Sequence, residues 1–276
     1  MPRLGECSAN PLSETLLAYG SMVPAIDALV RPDRFPLSSK YDPRWLLDLD
    51  MGPHPLWQLE EILPALGLRP GMRVLDLGSG RGATSVFLAR ECAVTVTACD
   101  LWVNTEEVNE VLREAGVEDA VTAVNADVRH LPFQNDEFDA IVSIDAFEYF
   151  GTDVHLLPVL LRVLKAGGVI GMTTPGLRSD PYEGEVPAKV WSLFGYEVAA
   201  WHTPDWWRRH WELSGLLEGI ETSWQHDGVE NWILWARAVR EVKGAEEDPL
   251  LAILHENYGQ IGFVSATARK RVAADP

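Results

Sequence analysis

Val74-Leu75-Asp76-Leu77-Gly78-Ser79-Gly80-Arg81-Gly82-Ala83 decides how the chain is read. A short apolar run ends in glycines at every second position, and a helix-forming stretch, Ala83–Arg90, follows. Such a run reads as a buried strand. The glycines permit a tight turn and let a ligand approach the backbone closely. Gly78, Gly80 and Ala83 also satisfy the dinucleotide fingerprint, with Asp100 about 20 residues on, where a ribose-binding acid is expected. Asp76 opposes that reading, because a carboxylate two residues before the first glycine faces the loop and repels a pyrophosphate.

Outward from this turn the pattern alternates. Val94–Ala98, Val121–Asn125, Phe138–Ile144 and Val169–Thr174 read as strands. Pro53–Leu66 reads as a helix, with Leu56, Leu59, Ile62, Leu63 and Leu66 at helical spacing. Asn104–Ala115 is helical, with Asn104 as cap and Glu107 three residues on. Val154–Lys165 is expected to be a helix ending at Gly167-Gly168. Thr203-Pro204 opens a helix to about Leu217. Ile220–Gln225 and Ile261–Ala268 read as strands, and Val229–Val242 and Pro249–Tyr258 as helices. Strand–helix alternation predicts an α/β fold, a mostly parallel sheet with helices on both faces. Residues 1–52 are expected to form an N-terminal helical arm, with one helix over Ser13–Leu29. Residues 53–276 form the main domain, with 175–203 as a lid insertion after the fifth strand.

Asp76, Asp100, Asp127 and Asp145 stand at or just beyond the ends of four successive strands, where open α/β sheets bind ligands. Four carboxylates suit a cationic ligand with hydroxyl and amine donors. S-adenosylmethionine has a sulfonium, an ammonium, a ribose diol and an adenine amine.

The chain here resembles class I S-adenosylmethionine-dependent methyltransferases of small-molecule type. Val74–Gly82 resembles their glycine-rich first motif, and Asp100 their acid after the second strand. Asn125-Ala126-Asp127-Val128 resembles the loop after the third strand, and Leu164-Lys165-Ala166-Gly167-Gly168-Val169 the turn before the fifth. The resemblance implies a Rossmann-like seven-stranded sheet of order 3-2-1-4-5-7-6. It implies that Asp76 and the backbone of Gly78, Ser79, Gly80 and Gly82 hold the methionine end. Asp100 takes the ribose diol, Leu101 and Trp102 pack on adenine, and Asp127 and Val128 bond its edge. Asp145 completes the cofactor set.

The loop Ile144-Asp145-Ala146-Phe147-Glu148-Tyr149-Phe150-Gly151 faces the transferring methyl by the same resemblance. It lacks the N-P-P-[FYW] and Pro-Cys motifs of enzymes that methylate bases. Asp145, Glu148 and Tyr149 are candidates to orient an amine, hydroxyl or thiol, and Glu148 to act as base or to balance a cationic acceptor; capping the next helix or facing solvent is an equal alternative for Glu148. His54, just before the Pro53–Leu66 helix, is a candidate base, though a structural role suits it better. His202 and His210 border the tryptophan-rich region and are read the same way. Eight of eleven tryptophans lie between Trp191 and Trp235. Trp191 and Trp201 could wall an acceptor pocket; Trp207, Trp211, Trp232 and Trp235 read as core.

Composition narrows the classes further. The 276 residues carry 23 Lys+Arg against 41 Asp+Glu, a net charge of −18. That balance opposes nucleic-acid and anionic-membrane partners, leaving a small-molecule acceptor. Nothing apolar opens the chain, so no secretory leader and a cytoplasmic location are expected. The three cysteines, Cys7, Cys92 and Cys99, suggest neither disulfide framework nor metal site. Two rivals remain: a nicotinamide-dependent oxidoreductase, and a protein that binds S-adenosylmethionine without catalysis.

Overall fold

The structure, a computed structural model, describes residues 24–150, 152–244 and 249–272. β1 (Arg73–Leu77) pairs in parallel with β2 (Thr95–Asp100) on one side and β4 (Phe138–Ile144) on the other. β3 (Val121–Asn125) adds to β2, and β5 (Leu164–Leu177) adds to β4, both in parallel. β7 (Ile261–Lys270) lies antiparallel on β5, and β6 (Leu217–Trp224) antiparallel on β7. The order is therefore 3-2-1-4-5-7-6, as expected.

In chain order the helices are α1 (Pro43–Asp48), α2 (Pro55–Leu66), α3 (Ala83–Cys92), α4 (Thr105–Glu114) and α5 (Phe147–Phe150). They continue with α6 (Leu156–Val163), α7 (Ala188–Phe194), α8 (Pro204–Ser214), α9 (Gly228–Lys243) and α10 (Pro249–Glu256). None of the described helices is long and apolar enough to cross a membrane. One sheet face buries Leu56, Leu59 and Ile62 of α2 and Val86 and Phe87 of α3 against Val74 and Val142. The opposite face packs Phe147, Leu160, Trp207 and Trp211 on Leu75, Ile141 and Met172. A third cluster joins Trp201, Trp232, Leu254 and Phe263 beneath α7, α9 and α10. Trp207, Trp211, Trp232 and Trp235 are all buried, as their spacing indicated.

Three expectations need correction. The helix expected over Val154–Lys165 stops at Val163. Leu164 already pairs with Phe138, and the register then shifts so that Val169 meets Ala140. Lys165–Gly168 bulge between these pairs, with Gly167 at φ 73° and Lys165 Nζ bonded to Asp139 Oδ1 at 2.7 Å. The helix expected to reach Leu217 ends at Ser214, because Gly215 turns left-handed and Leu217 pairs with Lys270. The 175–203 stretch begins inside the sheet rather than after it. Pro175–Leu177 continue β5 against Ile261–Phe263, and α7 and a 3-10 turn, Gly195–Ala200, follow. Cys7 and most of Ser13–Leu29 lie outside the described residues; Asp27–Leu29 form a 3-10 turn.

Candidate functional site

The glycine turn is built by its neighbours. Gly78 sits at φ 73° and donates to Cys99 O at 2.8 Å, tying the end of β1 to the end of β2. A Cβ on Gly78 would meet Ala146 Cβ at 2.4 Å, so only glycine lets the β4 loop close on the turn. Asp100 braces the turn from β2: Oδ2 accepts from Gly80 N at 2.9 Å, and Oδ1 from Trp102 N and Val103 N. Asp76 is buried near the end of β1, at the foot of the turn. It is 1% exposed, and Oδ2 accepts from Thr84 Oγ1 at 2.7 Å and Ser85 Oγ at 2.6 Å. Burial pushes this carboxyl up to about 6, against the pull of the two hydroxyls.

A groove runs along the strand ends in two connected halves. The first, about 290 Å³, is lined by Asp100, Leu101, Trp102, Asp127, Val128 and Arg129 among others. The second, about 100 Å³, is lined by Ser79, Gly80, Asp145 and the strap Leu49–Pro53. Gly78, Asp100, Trp102, Ala146 and Tyr149 wall both halves. Trp102 and Tyr149 meet edge-to-face at the mouth, with ring centroids 4.8 Å apart. Asp127 caps the short turn Val128–His130 and is engaged by Arg129, at 2.5 Å from Nη2 and 2.9 Å from Nε. The Arg129 hydrogen bonds hold the Asp127 carboxyl well below the usual range.

At the second half, two acids follow the end of β4, half-buried Asp145 and buried Glu148. Asp145 adopts φ 52°, unusual for a residue with a side chain, and its N–H is anchored on Thr173 O at 3.0 Å. Burial, then Glu197, pushes Asp145 up to about 7. Glu148 is 5% exposed and accepts from Thr174 Oγ1 at 3.0 Å. Burial first, then Asp145 and Glu197, drive it far above the carboxylate range. Tyr149 is raised by burial and the same acids. The structure thus gathers Asp145, Glu148 and Tyr149, as the β4 loop implied, and adds Glu197 from the lid. Nothing in the aperiodic 175–203 stretch marked Glu197 beforehand. The Met51-Gly52 strap was equally invisible: a Cβ on Gly52 would sit 2.5 Å from Asp145 Oδ2.

Other candidates lie apart from this groove. His54 is 2% exposed and caps α2, Nδ1 accepting from Trp57 N at 3.2 Å. Its ring stacks on Trp57 at 4.1 Å, and burial lowers it to about 3, so it stays neutral within the packing. Trp201 is buried against Phe194 and Trp232, and Trp191 is half exposed; neither lines the groove.

The sheet order, with the glycine turn between β1 and α3 and acids at successive strand ends, is the fold of class I S-adenosylmethionine-dependent methyltransferases. Residues 74–168 match the family described as a methyltransferase domain. A methyltransferase of Streptomyces halstedii is 34% identical over 110 residues, covering 40% of each chain. The glycine/sarcosine/dimethylglycine N-methyltransferase of Actinopolyspora halophila is 32% identical over 193 residues, covering 69% of this chain and 33% of that protein. The chain therefore spans well under two thirds of the length of these two relatives. The same fold occurs in the Haemonchus contortus phosphoethanolamine N-methyltransferase 2 complexed with S-adenosyl-L-methionine. Its TM-score is 0.69 at 20% identity, over 91% of this chain and 60% of that one.

The residues present fit such a cofactor. Ser79 Oγ and Asp76 Oδ1, either side of the turn's start, are buried polar atoms without a hydrogen-bond partner. Leaving such atoms unpaired is costly, and a ligand with ammonium donors would satisfy them.

Proposed function

We propose that the chain transfers a methyl group from S-adenosylmethionine to nitrogen, oxygen or sulfur of a small-molecule acceptor by in-line displacement. The observation that carries this reading is the groove itself, whose halves share walls from Asp100 and Trp102 through the glycine turn to Asp145. Asp76, Ser79 and the backbone of Gly78, Gly80 and Gly82 hold the methionine end. Asp100 faces the ribose, Leu101 and Trp102 the adenine face, and Asp127 and Val128 its edge. Asp145, Glu148, Tyr149 and Glu197 orient the acceptor. When bound, the cofactor supplies a methyl carbon on a positively charged sulfur, and displacement returns the carbon–sulfur electron pair to sulfur. The chain's part is largely to align the acceptor and exclude water, which supplies most of the rate in such a transfer. The strap Leu49–Pro53 and the lid 175–203 close the walls. A relative acting on glycine, sarcosine and dimethylglycine supports a small acceptor.

Calorimetric and thermal titrations with S-adenosylmethionine, S-adenosylhomocysteine and NADH, side by side, test the reading. Either adenosyl ligand at 100 times its Kd is expected to stabilise the fold by about 2.7 kcal/mol, with NADH inert. A response to NADH alone overturns the reading in favour of the oxidoreductase. Adenosyl binding without labelled-methyl transfer to amines, phenols or thiols leaves a binding protein instead.

A further inference from the structure

The lid holds a titratable pair that the reading above leaves unused. Asp180 and His202 are 6% and 0% exposed, and His202 Nδ1 lies 2.8 Å from Asp180 Oδ2. A carboxylate oxygen accepts, so Nδ1 carries the hydrogen and Nε2 presents a bare lone pair. Nε2 is buried and has no hydrogen-bond partner. The carboxylate is itself fixed, because Tyr182 N donates to Asp180 Oδ1 at 3.0 Å. The imidazole is clamped between the rings of Tyr182, at 5.5 Å and 16°, and Trp206, at 3.5 Å and 5°. A base held by a carboxylate, which is held in turn by backbone, is the arrangement that orients an imidazole for proton transfer.

A structural duty does not account for the pair. His54 accepts a helix N–H, whereas α8, which follows His202, is capped by Thr203, whose Oγ1 accepts from Trp206 N. Neither residue lines either half of the groove, but the pair stands at the end of the sheet where ligands bind. Asp180 lies three residues past the end of β5. The His202 carbonyl packs so closely on Gly176 that a Cβ there would stand 2.6 Å away. Thr174, on the same face of β5 as Gly176, donates to Glu148. Glu197, five residues before His202, raises both Asp145 and Glu148. One short segment thus brings an acid to the β4 patch and an imidazole to the end of β5, the sheet edge where ligands of open α/β folds bind.

We propose that Asp180 and His202 are the proton-accepting pair of the acceptor site, and that the acceptor is therefore protic, an O–H or N–H group. This rests on the methyl-transfer reading. As the acceptor's lone pair forms the new bond to the methyl carbon, its hydrogen leaves as a proton to His202 Nε2, and Asp180 holds the resulting imidazolium through Nδ1–H. The carbon–sulfur electron pair stays on sulfur, so charge and atoms balance without a further reactant. The titratable groups around the ring are Asp180 and Tyr182 from the loop after β5 and His210 from α8, which stacks on Trp206. Burial, ahead of the pull from Asp180, holds the imidazole below its ordinary range of 6.5, so it is a neutral base near pH 7.

The test offers the full chain labelled S-adenosylmethionine with a panel of phenols, alcohols, primary and secondary amines, and tertiary amines as aprotic controls. Binding of S-adenosylhomocysteine is measured alongside. Transfer to a protic class is expected. His202→Gln should lower kcat by about 100-fold or more, the scale of a lost general base, with KM and the S-adenosylhomocysteine Kd unchanged. The acid limb of the kcat–pH profile, lying below the ordinary histidine range, should vanish with it. Asp180→Asn should also lower kcat, and histidine-nitrogen NMR of the unsubstituted protein should show hydrogen on Nδ1 alone. The NMR readout stands even where a variant fails to fold. Wild-type kcat in His202→Gln, hydrogen on Nε2, or transfer confined to tertiary amines overturns the proposal. So does the absence of any transfer from a protein that binds S-adenosylhomocysteine. Failure to bind S-adenosylhomocysteine removes the methyl-transfer reading itself.

Discussion

At Asp76 the carboxyl is buried and raised from 3.8 to about 6, so the folded chain holds a proton there that the unfolded chain has released. Stability from this group is therefore fullest below 3.8 and is lost as pH rises through about 6. A shift of about two units corresponds to about 3 kcal/mol. Asp145, raised to about 7, acts in the same sense. Urea melts of the free protein should show stability falling between about pH 4 and about pH 7, and Asp76→Asn should flatten part of that slope. An equal slope in the variant would show that the strain lies elsewhere. A ligand ammonium beside Oδ1 offsets the same cost, so Asp76→Asn should also weaken S-adenosylhomocysteine binding. The sequence indicated an acid near the turn. It could not indicate that Thr84 and Ser85 would claim one oxygen and leave the other bare, because that depends on how α3 docks behind β1.

At the scale of elements, the strap before α2 and the glycine turn are fitted to each other. Gly52→Ala would place a Cβ 2.5 Å from Asp145 Oδ2, at the wall of the second half of the groove. Its S-adenosylhomocysteine affinity should fall by at least about tenfold, a cost of about 1.4 kcal/mol. Gly71→Ala is the control: at φ 82° with nothing within 4 Å, it should cost about 1 kcal/mol of stability and leave affinity unchanged. Equal losses of affinity in the two variants would refute the fitted strap. β1 to β4 and α2 to α4 were legible because each is a local pattern: apolar runs closed by turn residues, apolar positions at helical spacing, an Asn104 cap. The end of α6 was not, since Leu164 leaves the helix to pair with Phe138, 26 residues earlier in the chain. The same long-range pairing, with Ile261–Phe263, draws Pro175–Leu177 out of the expected lid and into β5.

Across the whole molecule, apolar packing is shared among three clusters, and the tryptophans divide by what they hold. Trp211 is 1% exposed and meets Phe147 of α5 edge-on, so it supports the helix that carries Glu148. Trp211→Ala should cost about 3–5 kcal/mol in denaturant melts. Trp191→Ala, at a half-exposed ring, should cost no more than about 0.5 kcal/mol. Comparable losses would mean that the lid, not the α5–α8 layer, anchors the fold. The sheet order was legible from four motifs in sequence. Glu197 and Asp180 went unmarked, and His202 read only as a structural histidine, because the 175–203 stretch takes its partners from β5 and the loop after β4, far off in the chain.

The groove's shared walls have a further consequence. Because Gly78, Asp100, Trp102, Ala146 and Tyr149 border both halves, a ligand spanning them is held as a chelate. Once one end is seated, the other searches a volume set by its own tether, at an effective concentration in the millimolar range. Adenosine and homocysteine offered as separate pieces forgo that advantage, and together they cannot match the affinity of the joined molecule. On the proposed reading, the covalent link between nucleoside and amino acid is itself a part of what the groove selects.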